Sequence, residues 1–429
     1  MVVSMLVNSL YNIVDSFFVA KISENAMTAL SLVFPVQNLI NAVMIGFGIG
    51  INAVISFYLG AADQKKADQA ASQGMLLGTF HGILLMIICL VVIHPFLSLF
   101  TNDAEIVNLG LRYSKIVFLF SVFFAWELVF EKVFQAVGKM NISMICLMSG
   151  CLVNIFLDPV LIFGIGPFPV LRVTGAAIAT VIAQMIVTVM FFIFAMKDTV
   201  LFQYVRYLKK PDLHHLKGIV RIGFPTSVQS MLFTGISMII ARLVAGYGDA
   251  AVAVQKVGSQ IESISWMTAD GFAAAVNSFT SQNHGAGKKR RIYQGYVSAL
   301  KVVFVWGIFC TLLLICCPAP VFRIFITEKD VIPLGVDYLR ILGVSQLFMS
   351  LEITTAGAFS GYGKTVPPSV ISIVFTALRI PLALILVHTT LALNGIWWSI
   401  TISSILKGVL LFVWFYIFMR GEKIIYNRK

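Results

Sequence analysis

Six carboxylates lie inside long apolar stretches of the sequence, where a charged group is costly. They are Asp15, Glu127, Asp158, Glu262, Asp270 and Glu352. In a bilayer, a charge near the middle of a span costs roughly 2.5–3.5 kcal/mol on insertion scales. Such a residue persists only if it faces water, pairs with an opposite charge or takes up a proton. The set therefore indicates ion or substrate binding within a membrane.

Two of these acids, Asp15 and Asp158, lie at a similar depth, near the predicted outer ends of two spans. Asn154 precedes Asp158 by one helical turn, so the two side chains share a face, and Tyr11 precedes Asp15 by the same spacing. Two carboxylates in a site of low dielectric suit a proton relay, and oxygen ligands also suit Na⁺. The alternative is that both acids only join spans through hydrogen bonds. We predict an ion-coupling site at these four residues, with Asp15, Asp158 and Asn154 as candidate Na⁺ ligands.

The apolar stretches run almost end to end, separated by short polar breaks. Of the 429 residues, 59% are hydrophobic and only 12% are charged, and the mean hydropathy is +0.92. A soluble domain carries about 25% charged residues, so the bilayer must be the solvent of this chain. The sequence predicts an all-α membrane protein of about twelve spans, at 1–20, 29–58, 71–95, 106–135, 141–164, 174–196, 219–245, 250–281, 296–318, 332–359, 367–388 and 393–418.

The net charge of +12 lies mainly in the breaks between spans. Basic clusters occur at Lys65-Lys66, Lys209-Lys210, Lys288 to Arg291 and Arg420 to Lys429. All fall on one side if the spans alternate, and this bias predicts that the side is cytoplasmic. We therefore expect a multi-pass protein of the cell membrane, in contact with the lipid bilayer, with both termini in the cytoplasm and no nucleic-acid partner.

The second half of the sequence repeats the first at a constant offset of 225 positions. Matching pairs include Gly46 and Gly271, Asn52 and Asn277, Gly110 and Gly335, and Glu127 and Glu352. Repeats of six spans are typical of transporters. The sequence therefore predicts two similar six-helix lobes, related by a pseudo-two-fold axis along the membrane normal, with a cavity between them.

The longest polar connection sets the predicted domain boundaries. They are an amino-terminal lobe at 1–196, a cytoplasmic linker at 197–217, a carboxy-terminal lobe at 218–420 and a cytoplasmic tail at 421–429. The residue that matches Pro225 would precede Met1 in this repeat. We therefore expect the first span to lack the entry segment that its counterpart has.

Five polar residues in the spans are candidates for lining the cavity. They are Glu127, Glu262, Asp270, Glu352 and Gln37. The two repeat mates, Glu127 and Glu352, either line opposite walls and attract cations or act at an inner gate. The other two acids suit a cationic substrate, and the alternative for them is an ion pair with Lys256 or Arg379.

Two glycine-rich segments resemble nucleotide-binding motifs in the wrong context. Residues 358–365 fit a loose phosphate loop, but a true one follows a strand and opens a helix. Residues 46–50 lie inside a span, where small residues allow close helix packing. The six cysteines and six histidines show no metal-ligand spacing. Because the sequence holds no nucleophile–base pair and no catalytic loop, we expect neither an enzyme nor a cofactor besides the coupling ion.

Several motifs resemble those of the multidrug and toxic compound extrusion (MATE) family. They are Asn8 to Asp15, Asn154 to Gly164, Gly175 to Thr180 and Ser281 to Gly287. The resemblance covers essentially the whole chain and implies an antiporter that exports organic cations, often drugs or dyes, in exchange for Na⁺ or H⁺. In prokaryotic members an aspartate pair on spans 1 and 5 is linked to coupling, and Asp15 and Asp158 match that pair, with Tyr11 and Asn154 as polar neighbours. Some members carry another acid in span 7, where this sequence has Gln229.

These features predict a secondary active multidrug efflux antiporter that works by alternating access, as a monomer. Ala383 stands where the repeat would place a second Asp158, so we expect the coupling site in the first half only. The alternative is a flippase for lipid-linked saccharides, which shares the wider superfamily. A flippase for pyrophosphate-linked lipids is expected to have a more cationic cavity than these acids provide.

Overall fold

The computed structural model describes residues 18–19, 21–101, 103–198, 201, 210–326 and 331–427. Throughout these residues the regular structure is helical, and they contain no β-strand. Contacts between residues divide the chain into two compact units, with the division between Ser227 and Val228. We refer to residues 3–227 as the amino unit and to residues 228–429 as the carboxy unit.

Seven helices begin in the described part of the amino unit. They are α1 (Glu24–Gly60), α2 (Gln64–Phe100), α3 (Ala104–Leu119), α4 (Ser121–Ala136), α5 (Met140–Phe163), α6 (Val173–Lys197) and α7 (Leu213–Ala245). Helix α7 starts within the segment predicted as a linker. Its first half packs on α1, where the Ser227 hydroxyl donates to the Val43 carbonyl at 2.9 Å. The chain before α7 is held by Gln73, which donates to the Lys210 carbonyl at 3.0 Å and accepts from the Asp212 amide at 3.1 Å.

Eight further helices follow among the described residues of the carboxy unit. They are α8 (Asp249–Gly285), α9 (Lys289–Cys316), α10 (Pro318–Arg323), α11 (Ile332–Gly343), α12 (Gln346–Gly361), α13 (Val366–Ala377), α14 (Arg379–Val387) and α15 (Leu393–Asn427). Pro381 lies in the first turn of α14 and has no amide hydrogen to donate to the Ala377 carbonyl. The missing bond accounts for the break between α13 and α14.

The internal repeat is visible in the helix boundaries. Helices α1 and α8 begin and end 225 positions apart, and so do α4 and α12. After the loop that precedes α6 and α15 the offset becomes 220, because the second loop is shorter. A Cβ atom on Gly175 would lie 2.5 Å from the Leu161 carbonyl oxygen, and one on Gly395 would lie 2.7 Å from that of Leu386. The close approach of α6 to α5 is therefore repeated by α15 and α14.

Eight helices in the described residues are long and apolar enough to cross a bilayer, or nine if the pair α11 and α12, bent by 46°, counts as one span. The prediction of a multi-pass membrane protein is thus confirmed. The first predicted span, 1–20, lies outside the described residues except for 18–19. The predicted spans 106–135, 332–359 and 367–388 each comprise two consecutive helices, of which α13 and α14 together form one apolar span, Val366–Val387. In 106–135 and 332–359 the apolar composition runs on across the break and gives no sign of it, whereas Pro381 marks the break in 367–388.

Candidate ion-binding site

The amino unit contains a fully buried carboxyl–amide pair on α5. Asn154 and Asp158 are 1% and 0% exposed, and they lie one turn apart on the same face, as the spacing predicts. With its amide oriented to satisfy both partners, Asn154 donates to Asp158 Oδ2 at 2.7 Å and accepts from the Thr180 backbone amide at 3.2 Å. The amide group thus fixes the Asp158 carboxylate and joins α5 to α6.

Helix α5 contains a proline next to Asp158 and ends one turn later. Pro159 has no amide hydrogen, so the carbonyl of Ile155 loses its helical donor beside Asp158. The helix ends at Phe163, and Gly164 adopts φ +70°, a conformation that favours glycine, while its amide donates to Val160.

Thr180 of α6 is the residue of this site that sequence reasoning did not assign. It is buried, and its hydroxyl lies 3.5 Å from the Asn154 amide group. The close packing of α5 on α6 at Gly175 brings it there. Its signal was present in the sequence, because Thr180 ends one of the motifs that resemble the MATE family.

The other predicted members of the coupling site, Asp15 and Tyr11, lie outside the described residues. The three residues that are described supply a carboxylate, an amide and a hydroxyl. Oxygen ligands of this kind suit hard cations, and a buried carboxylate also accepts a proton. The chemistry open to this site is reversible binding of H⁺ or a small cation.

Among the candidate cavity residues, the two repeat mates have different surroundings. In the carboxy unit, Glu352 is buried and pairs with Lys407 of α15 at 3.1 Å. In the amino unit, Glu127 Oε2 is buried and accepts no hydrogen bond from any residue the structure describes. Sequence reasoning missed Lys407, although a single lysine within an apolar span was the available signal.

Glu262 is held by neutral groups. It accepts hydrogen bonds from the Tyr338 hydroxyl at 2.7 Å and the Gln346 amide at 3.2 Å. The alternative partners behave differently: Arg379 donates to Ser403 at 2.7 Å and to Ser404, while Lys256 is exposed. Asp270 on α8 and Gln37 on α1 are half-buried. Of the five candidate cavity residues, Gln37 and Glu127 thus belong to the amino unit, and the other three belong to the carboxy unit.

The sequence of the chain matches the model of a known protein family. A family model described as MatE matches residues 1–160 and 225–385, which is most of the sequence and corresponds to the two halves of the internal repeat. The chain belongs to the MatE family. Members of this family are membrane transporters and not enzymes, so the expectation of a transporter is confirmed.

Two curated relatives of this MatE chain illustrate the range of similarity. It is 28% identical over 416 residues to a probable multidrug resistance protein, NorM, of Thermotoga maritima, covering 95% of this chain and 88% of the relative. It is 25% identical over 407 residues to the multidrug export protein MepA of Staphylococcus aureus, covering 94% of this chain and 88% of MepA.

Solved structures show the same fold. A crystal structure of a MATE protein in the straight conformation matches with a TM-score of 0.91 and 26% identity, over 99% of this chain and 94% of that one. Another, of MATE in complex with MaL6, matches with a TM-score of 0.92 and 24% identity, over 99% and 95%. The MatE chain described here therefore has the MATE transporter fold.

Proposed function

We propose that this protein is a secondary active antiporter that exports organic cations and other toxic compounds in exchange for Na⁺ or H⁺, by alternating access. The names of the NorM and MepA relatives support multidrug export. The observation that carries the exchange is the buried Asp158, fixed by the neutral Asn154 amide beside Thr180. A carboxylate inside the protein can bind a cation or take up a proton. In an antiporter that partner is the exchangeable ion.

The coupling site of this proposal comprises Asp158, Asn154 and Thr180, together with Asp15 and Tyr11 as the sequence predicts. The buried acids of the carboxy unit have different partners. Glu352 forms an ion pair with Lys407, and Glu262 accepts hydrogen bonds from neutral donors. This difference supports coupling in the amino unit alone. We further propose a monomer in the cell membrane, with both termini in the cytoplasm and the predicted lobes, 1–196 and 218–420, alternating access to the substrate.

The test is efflux of the fluorescent cation ethidium from proteoliposomes, with Na⁺ and H⁺ gradients imposed separately. The wild type is expected to export ethidium under one of the gradients, and Asp158→Asn is expected to abolish this export. The matched control is Asp63→Asn at the start of α2, where Asn is an equally good N-cap residue. It should leave export unchanged.

Two results would contradict the proposal. One is export by Asp158→Asn at the wild-type rate under the same gradient. The other is no ethidium export under either gradient by protein with an unchanged elution profile in size-exclusion chromatography. In the second case, transfer of a lipid-linked saccharide across the vesicle membrane would establish the flippase alternative.

A further inference from the structure

A polar stripe on α6 leads away from the Asp158 site. Thr180, Gln184 and Thr188 follow one another at intervals of one turn, so they share a face and span about 12 Å. The first of them lies beside the Asn154 amide. The stripe therefore starts at the proposed coupling site and runs through the interior of the amino unit.

The far end of the stripe contacts α4. The Thr188 hydroxyl lies 3.1 Å from the Phe123 carbonyl oxygen of α4 and 2.9 Å from the Gln184 carbonyl oxygen. Beyond this point, the ring of Phe191 stacks on Phe130 at 6.1 Å. Helices α4 and α6 are therefore neighbours here, and Glu127, one turn after Phe123, lies at the level where the stripe ends.

Helix α4 continues the path. Glu127, Glu131 and Gln135 again follow at intervals of one turn. Gln135 donates to Glu131 Oε1 at 2.6 Å, and Lys132 Nζ lies 3.3 Å from the same oxygen. Helix α4 ends just beyond Gln135, at the end of the unit that the basic residues predict to be cytoplasmic. We refer to Thr180, Gln184, Thr188, Glu127, Glu131 and Gln135 as the polar file.

Two members of the file have buried acceptors without a donor. Neither Gln184 Oε1 nor Glu127 Oε2 accepts a hydrogen bond from any residue in the described part of the chain. Leaving such a group unsatisfied costs about 1–3 kcal/mol. Buried acceptors of this kind are ordinarily satisfied by ordered water. Water between hydroxyl, amide and carboxylate oxygens is the medium in which a proton moves by successive transfers.

The carboxy unit does not repeat the file. The counterparts of Glu131 and Gln135 are Ala356 and Ser360, and the counterpart of Thr188 is Gly408. Glu127 keeps its residue type, as Glu352, but that carboxylate is paired with Lys407. The row of six polar side chains is therefore continuous only in the half that holds Asp158 and is interrupted in the other half.

We propose that protons pass between the Asp158 site and the predicted cytoplasmic end through the interior of the amino unit, along the polar file. The inference rests on the proposed antiport and adds that the exchanged ion is H⁺. Asp158 gives its proton to the Thr180 hydroxyl or to a water beside it, each hydroxyl or water on the path releases one proton as it takes one, and Glu127 accepts the last and passes it on. Gln184 takes no proton itself and holds a water on the path through its Oε1 acceptor. Only O–H bonds break and form, and one proton is moved in total.

Thr188 offers the sharpest test, since one change removes the relay hydroxyl and another keeps it. Thr188→Val is expected to reduce H⁺-driven ethidium efflux about tenfold, given that a positioned proton relay typically contributes a factor of 10² or more and that water compensates in part. Thr188→Ser is expected to stay within about twofold of wild type by the same reasoning. Gln184→Leu and Glu127→Gln should resemble Thr188→Val.

A structural defect is separated from a relay defect by two readouts. Ethidium affinity, and the protons released when ethidium binds to protein in detergent, depend on Asp158 and should be unchanged in Thr188→Val. Transfer of the same assays to D₂O should slow efflux in the wild type. The control is Thr174→Val, the same change on α6 but outside the file, which should behave as wild type in every assay.

Three outcomes would overturn the inference. Full H⁺-driven efflux by both Thr188→Val and Gln184→Leu would show that the file carries no protons. Equal losses in Thr188→Val and Thr188→Ser would assign a packing role to Thr188. Efflux driven by Na⁺ alone would exclude proton transfer but leave the proposed antiport standing. In contrast, absence of efflux under either gradient would remove the proposed function itself.

Discussion

The amino and carboxy units share one helical plan and differ in their treatment of buried charge. In the amino unit, the Asp158 carboxylate is fixed by the neutral Asn154 amide. At the two matching positions of the carboxy unit stand Ala383 and Arg379, and the guanidinium of Arg379 donates to serine hydroxyls of α15. The positions of an acid and an amide in the amino unit are thus held by an alanine and a buried arginine in the carboxy unit.

The pair Glu127 and Glu352 shows the same difference. Lys407 pairs with Glu352, whereas its counterpart in the amino unit is Val187, and Glu127 keeps an acceptor that no described residue satisfies. A carboxylate neutralised by a lysine of the same chain cannot exchange its partner without exposing two buried charges. The comparison teaches that repeated architecture sets the positions of buried acids, and that the neighbours decide whether an ion can come and go.

The largest expected effect tests whether transport depends on one unit only. Asp158→Asn should abolish gradient-driven efflux. The double variant Glu352→Gln with Lys407→Met removes both charges of the carboxy pair together, and such paired replacements are often neutral for stability. It should keep efflux within about threefold of wild type, by the same reasoning. Loss of transport in the double variant, with the protein still folded, would show that the carboxy pair takes part in coupling.

The next effect concerns stability in the carboxy unit. Lys407→Met alone leaves Glu352 buried without its cation, and removing one partner of a buried pair typically costs about 3–5 kcal/mol. The free energy of unfolding, measured by denaturant titration in detergent, should fall by this amount and recover when Glu352→Gln is added. Lys301→Met, at an exposed lysine of α9, is the control and should change little. A similar cost in Lys301→Met would mean that the charge, rather than the pair, stabilises the protein.

The smallest effect should be equal in the two units. Gly175→Ala and Gly395→Ala each place a methyl group against a backbone carbonyl of the preceding helix, and such overpacking costs about 1–3 kcal/mol. Gly235→Ala is the matched control, because a Cβ there meets nothing within 4 Å. It should stabilise α7 by about 0.5–1 kcal/mol. A clear difference between Gly175→Ala and Gly395→Ala would show that the repeat does not extend to this helix contact.

Much of this architecture was predictable from the sequence, since apolar composition and the 225-residue offset depend on many positions at once. The breaks at Phe120 and after Gly343 were not, because hydrophobicity continues across them and the bend depends on packing. The start of α7 at Leu213 was also missed, since its first turns are polar and belong to a helix that continues beyond them.

The candidate site also contains residues that the sequence predicted and residues that it did not. Asn154 and Asp158 were predictable because i, i+4 spacing on a helix fixes a shared face. Thr180 and Lys407 were not assigned, because each acts on a residue of another helix, and a single sequence does not tell which helices pack together. The surroundings that distinguish Glu127 from Glu352 depend on those tertiary contacts as well.

The central claim is that the exchangeable ion binds in the amino unit, and ion binding to the purified protein tests it most directly. Radioactive Na⁺ and a pH indicator would report Na⁺ uptake and the protons released on ethidium binding in detergent. We predict that Asp158→Asn removes the ion signal seen in the wild type, and that Glu352→Gln with Lys407→Met preserves it. Persistence of the signal in Asp158→Asn, or its loss in the double variant alone, would place ion binding in the carboxy unit and contradict this account.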